Sequence, residues 1–223
     1  MSESAREFWE KTASRYDRIT KGLIGRPLPR AAELTANAVR GADRVLEVAA
    51  GTGLLTTAVA PGVGTVVATD LAENMLAILR DRLARAKISN VETARRDIYE
   101  LGYPAGSFDA AVAGNVLHLV PDLDRALDAL CSVLRPGGKL VAPTFVHDET
   151  LRSRVLSRLF GAFMVMHRRF TAASLRHALE RNGLRVMRSE TIRGPIPIAF
   201  VEAVRAPLDE RATAPAHKRS PGN

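Results

Sequence analysis

A chain of 223 residues, 46% apolar and 25% charged, is long enough to bury one sizeable core and has the composition of a folded globular protein. Its single cysteine, Cys131, excludes an intramolecular disulfide, and no apolar run reaches the ~18 residues of a membrane span. A formal charge of +8 keeps anionic partners in view, a nucleic acid or an acidic membrane surface, although charges of both signs are spread along the chain. The opening "MSESAREFWEKT" has no basic-then-apolar leader pattern, so the expected location is cytoplasmic.

Residues 3–40 read as a helical cap in front of the core, broken at "GRPLPR". Strand-like runs then alternate with helical patterns. The strands are "RVLEVA" (44–49), "TVVATD" (65–70), "NVETAR" (90–95), "FDAAVAG" (108–114) and "KLVAPTF" (139–145). Between them, "LLTTAVA", "AENMLAILRDRLARAK" and "LDRALDALCSVL" carry apolar residues at helical spacing, and "RPGG" (135–138) ends the third. Near-continuous apolar strands separated by helices predict an α/β fold, a Rossmann-like doubly wound sheet with helices on both faces. A helix at 172–183 precedes "LRVMRSETI" and "IPIAFVEAV", which have no helix between them and so should pair antiparallel. The expected organisation is one domain over 1–205, with an insertion at 147–170 and a Pro-, Ala- and charge-rich tail, 206–223, of disordered composition.

"VLEVAAGTG" (45–53) places a carboxylate, Glu47, inside an apolar strand and then breaks into two glycines. A buried carboxylate needs partners, and the nearest are backbone N–H groups of the turn that follows. A Gly-rich turn between strand and helix can serve dinucleotides, nucleosides or phosphates. A dinucleotide fingerprint starting at Gly51 would need a third glycine where Thr56 stands, and the Gly-Lys-Ser/Thr of a phosphate-binding loop is absent. Asp70 ends the second strand, where a carboxylate can accept from both ribose hydroxyls, or cap the next helix. Asp97, one strand further out, can reach an adenine amino group, or serve as a local cap. The pattern fits a nucleoside better than a diphosphate.

In order and spacing, "VLEVAAGTG", "VVATDLAENML", "ARRDIYELGYPAGSFDAAVAGNVLHLVPD" and "VLRPGGKL" resemble the class I S-adenosylmethionine-dependent methyltransferases. The N-terminal "FWEKTASRYDRIT" is similar to the branch containing quinone-biosynthesis and phospholipid N-methyltransferases. The resemblance implies S-adenosyl-L-methionine as cofactor. It further implies Gly51 and Gly53 beside the methionine moiety, Glu47 bracing the loop, and Asp70 on the ribose. Leu71 and Met75 would lie against the adenine, Asp97 and Ile98 at its edge, Asn115 by the methionine amino group, and Tyr16 closing over the cofactor. Ala49 departs from the pattern, standing where many members have a first glycine.

A sulfonium methyl donor is already activated, so alignment and exclusion of water dominate and few residues need move protons. His118, after the fourth strand, is the candidate base or acceptor contact; a packed wall residue is the plainer reading. His147, past the fifth strand, is a second candidate, and His167 reads as a surface residue. No His/Cys/Asp cluster has metal-ligand spacing. In the insertion "LRSRVLSRLFGAFMVMHRRF", Leu151, Val155, Leu159, Ala162, Phe163 and Met166 share a helical face opposite Arg154 and Arg158. That suits a lid over an apolar pocket, or an interfacial helix at an anionic inner membrane surface. The expected substrate is therefore a small apolar or aromatic acceptor, with a phospholipid headgroup or quinone precursor as the alternative. With aromatics at 5% and no Asn/Asp-Pro-Pro-aromatic motif, nucleic acid is disfavoured as a partner. A non-catalytic nucleoside-binding module and an NAD-dependent oxidoreductase are the remaining readings.

Overall fold

The computed structural model describes residues 3–23, 27–151, 153–155 and 166–206. Helices α1 (Glu3–Leu23) and α2 (Pro27–Val39) precede the sheet. There follow β1 (Arg44–Val48), α3 (Leu54–Val59), β2 (Thr65–Asp70), α4 (Glu73–Ala86), β3 (Val91–Arg95) and β4 (Phe108–Ala113). The rest is α5 (Leu123–Val133), β5 (Leu134–Val141), β6 (Thr144–Phe145), α6 (Ala172–Arg181), β7 (Leu184–Ile192) and β8 (Ile198–Arg205).

These strands form one sheet. β3, β2, β1, β4 and β5 run parallel in that order, β8 pairs antiparallel with β5, and β7 lies beyond β8, also antiparallel. β6 continues β5 along the same edge of β8 after a break at Ala142–Pro143. The expected doubly wound sheet with an antiparallel end is present. The "RPGG" segment both ends α5 and opens β5: Leu134 pairs with Phe108 and Lys139 with Ala110, so residues 135–138 bulge out between two aligned contacts.

Side-chain alternation divides the interior in two. Val45, Val66, Ala68, Ala110 and Val112 face α2, α3 and α4, where they meet Leu76 and Leu79. Leu46, Val48, Ala111 and Ala113 face α5 and α6, meeting Leu127, Leu130, Leu175 and Leu179. Central strands buried on both faces explain the continuous apolar runs; the edge strands β3 and β7 are half exposed and mixed in sequence.

α1 is docked on α4 at two levels. Ala13 packs with Ala72 and Met75, with Trp9 alongside. Above this contact, the Glu10 carboxylate accepts the N–H groups of Glu73 and Asn74, each at 2.8 Å, so α1 supplies the cap that Ala72 cannot. Glu10→Ala should destabilise the protein by about 1 kcal/mol. It should also lower affinity for the cleft ligand, because the same helix carries Trp9 to the cleft. Urea denaturation with and without ligand checks both.

Candidate cofactor cleft

Four chain crossings meet at the C-terminal edge of the parallel strands, and their turns enclose a cleft of about 670 Å³ including its open mouth. Its walls are Val48, Ala49 and Gly51 after β1; Thr69, Asp70 and Leu71 at the end of β2, with Met75 from α4; Arg96 and Ile98 after β3; Gly114, Asn115, Val116 and Leu119 after β4; and Trp9 from α1.

Asp70 organises the cleft. Its carboxylate accepts the Gly51 N–H at 2.8 Å and the Ala72 N–H at 2.9 Å, tying the turn after β1 to the turn after β2. Burial pushes its pKa up, the N–H groups of Ala72, Gly51 and Leu71 oppose the rise, and Glu10 adds to it. The Gly53 N–H is bonded to Ala50 O and the Ala50 N–H to Thr69 O. The Ala50, Gly51 and Gly53 amides of this turn are therefore already engaged within the protein, beside a carboxyl group. A phosphate-binding nest needs such N–H groups free.

The two glycines have different reasons. A Cβ built on Gly51, at φ +55°, meets nothing within 4 Å, so this glycine leaves space on the cleft side. A Cβ on Gly53, at φ +88°, would sit 2.2 Å from Leu79 Cδ1. Gly53 is thus favoured by its left-handed φ and by the closeness of Leu79, and it is not among the residues that line the cleft. Ala49 takes up the left-handed conformation itself, at φ 52°, and Asn115 does the same at φ 51°. Asn tolerates that region; Ala does so only at a cost.

Glu47 shares Val45's face of β1 and is 3% exposed. Burial raises its pKa to about 8; the Thr56 hydroxyl and N–H oppose the rise and Asp70 adds to it. Glu47 Oε2 and Thr56 Oγ1 still fall short of hydrogen-bonding geometry. The brace expected from Glu47 is therefore directed at α3, while Asp70 holds the Gly51 amide. Asp97 accepts the Tyr99 N–H at 3.0 Å in a local turn and does not line the cleft, although its neighbours Arg96 and Ile98 do. Tyr16 lies within α1, but its side chain falls outside the described residues.

Behind the β4 loop is a second group of expected residues. His118 and His147, 2% and 6% exposed, stand 5.3 Å apart between ring centroids, with Phe145 at 6.0 and 6.2 Å. Burial, and the neighbouring His147, push the His118 pKa down to about 3. Burial, with Arg169 assisting and Asp148 opposing, pushes that of His147 down to about 4. His167 is exposed, as expected. Sequence reasoning missed Trp9, Arg96 and Leu119. Only the adjacency of Trp9 to the capping Glu10 and of Arg96 to Asp97 pointed toward them.

Among the described residues no group of three or more His, Cys, Asp or Glu could hold a metal ion. None of their helices is long and apolar enough to cross a membrane. In the insertion, Leu151 and Val155 are exposed; Leu159, Ala162, Phe163 and Arg158 lie outside the described residues, as does the tail from 207.

A parallel sheet with an antiparallel end, a glycine turn and an acid at the tip of β2 together define a nucleoside-binding α/β domain of the methyltransferase kind. Residues 46–142 match the family described as "Methyltransferase domain", and the chain belongs to the class I S-adenosylmethionine-dependent methyltransferases. It is 34% identical over 170 residues to the ubiquinone/menaquinone biosynthesis C-methyltransferase of Pseudomonas fluorescens, covering 73% of this chain and 66% of that one. It is 37% identical over 106 residues to the demethylmenaquinone methyltransferase of Shouchella clausii, covering 46% and 45%. The chain thus spans about half to two thirds of the length of these relatives. Among solved structures, its fold matches magnesium protoporphyrin IX methyltransferase from Synechocystis at TM-score 0.74 and 21% identity, covering 90% and 98% of the two chains. The 1,6-didemethyltoxoflavin-N1-methyltransferase of Burkholderia thailandensis matches at TM-score 0.72 and 20% identity, covering 91% and 87%.

Two variants test this local chemistry. Ala49→Gly relieves left-handed strain of roughly 1–2 kcal/mol against a Gly entropy cost of about 0.4–1 kcal/mol, so urea denaturation should show a gain of about 0.5–1 kcal/mol. For Glu47, the folded pKa of about 8 exceeds the ordinary carboxyl value of 4.5, so between these pH values the unfolded chain binds fewer protons than the folded one. The stability this group contributes is full below about pH 4.5 and is lost as pH rises toward 8. Glu47→Gln should therefore gain on wild type by at least about 1 kcal/mol between pH 5 and pH 8, read from denaturation across that range.

Proposed function

We propose that the protein transfers the methyl group of S-adenosylmethionine to a small, rather apolar acceptor. The observation that carries this reading is the pairing of Asp70 with a turn whose amides are engaged internally. Such a cleft suits a ligand with ribose hydroxyls and a positive charge, and disfavours a pyrophosphate. Each Asp70 oxygen accepts one N–H, which leaves lone pairs for ribose hydroxyls. Leu71, Met75 and Ile98 offer apolar walls for the adenine, and the space at Gly51 admits the methionine moiety. Asn115, whose Oδ1 is buried without a partner, is placed to accept from its amino group. S-adenosylmethionine, when bound, supplies a methyl group activated by its sulfonium. The chain's own contribution is to orient the two reactants in line and keep water out.

The relatives' names cover acceptors of different chemistry: the precursors of ubiquinone and menaquinone are methylated on carbon, and didemethyltoxoflavin at N1. A small-molecule acceptor is common to them, and the apolar character proposed here is supported by the cleft walls Val48, Val116 and Leu119. A peripheral membrane role has one observation in its favour, the exposure of Leu151 at 74% and Val155 at 54%. Flotation with anionic vesicles decides it: salt-sensitive binding would support that role, and no binding would leave a soluble acceptor.

Calorimetry tests the cofactor. S-adenosylhomocysteine should bind, NAD should not, and Asp70→Ala should weaken binding by at least about tenfold. Unchanged affinity in that variant would remove Asp70 from the ribose.

A further inference from the structure

The histidine pair behind the cleft has unmet hydrogen-bonding capacity. His118 Nδ1 and both ring nitrogens of His147 are buried without a partner. In a protein interior such nitrogens are rare, since each forgoes a bond that water would supply. They converge from two neighbouring strand ends. His118 adjoins Leu119 of the cleft wall, His147 follows β6, and the Asn115 N–H to Pro143 O bond of 2.7 Å pins the two loops together. Phe145 supplies an apolar face beside both rings, and the returning segment 167–168 donates two N–H groups to His118 O, closing the far side.

We propose that His118 and His147 form the acceptor subsite, where they hydrogen-bond the hydroxyl of an uncharged aromatic molecule packed against Phe145. This rests on the methyltransferase reading above and names the acceptor chemistry for it. An uncharged imidazole has one N–H donor and one lone pair, so His147 alone presents an orphan of each kind. A hydroxyl both donates and accepts; because the two nitrogens of one ring point apart, it would bridge one nitrogen of His147 and Nδ1 of His118, on a ring 5.3 Å away between centroids. An ammonium group only donates, leaves the His147 N–H unmet, and is opposed by the Arg169 charge that already acts on His147. Among the described residues, the charges acting on His147 are those of Arg169 and, with the opposite sign, Asp148. Burial favours the uncharged form of both rings, so at neutral pH they offer hydrogen bonds to the hydroxyl and no charge.

A matched set of probes separates the cases: 1-naphthalenemethanol, 1-naphthylmethylamine and 1-methylnaphthalene, titrated into the full chain saturated with S-adenosylhomocysteine. The alcohol should bind at least about tenfold more tightly than the other two. His147→Phe should bring the three within about threefold while S-adenosylhomocysteine affinity stays unchanged, and His147→Gln, which keeps a donor and an acceptor, should retain part of the preference. No preference in the wild-type protein, or a preference that survives both His147→Phe and His118→Phe, would overturn the subsite. Failure of S-adenosylhomocysteine to bind the wild-type protein would instead overturn the methyltransferase reading on which it rests.

Discussion

One carboxylate bridges two turns. Asp70 receives an N–H from the loop after β1 and another from the loop after β2, and the cleft owes its shape to that bridge. Parallel strands end together, so their loops meet whatever their sequence; a buried carboxyl group that accepts an N–H from each makes their spacing specific. The bridge also consumes donors. With the Gly51 amide given to Asp70 and the Gly53 amide to Ala50, two donors of the turn are already engaged within the protein.

The surrounding elements serve this arrangement at different distances. Glu47 sits beneath the turn on the α3 side, close enough to Asp70 that the Asp70 carboxylate disfavours its ionisation. Glu10 reaches across from α1 to cap α4, which fixes the helix carrying Met75 and brings Trp9 over the cleft. The Asn115–Pro143 bond joins the cofactor side to the histidine side, so the two halves of the site share one backbone contact.

Much of the fold was legible because its central strands are buried on both faces, and "TVVATD" and "LRVMRSETI" are strands over their full predicted lengths. Asp70, Leu71, Met75, Ile98, Gly51, Ala49 and Asn115 were brought together as their positions after successive strands implied. For Gly53, spacing alone does not separate a glycine needed for approach from one set by backbone conformation and packing; Leu79, 26 positions away in sequence, lies against it. For Asp97, the spacing does not show that its carboxylate also accepts an N–H of its own turn. Trp9 was hidden because helical periodicity does not say which strand ends a helix will cover. The convergence of His118 with His147 depends on β4 and β5 being neighbours, a property of the sheet and of no local pattern.

A crystal structure of the complex with S-adenosylhomocysteine addresses the Asp70 bridge most directly. It should show both ribose hydroxyls on the Asp70 carboxylate, the Gly51 and Ala72 amides still bonded to it, and the sulfur directed toward Asn115 and the histidine pair. A ligand seated away from β2, or a Gly51 amide that leaves Asp70 to meet an anionic group, would contradict it.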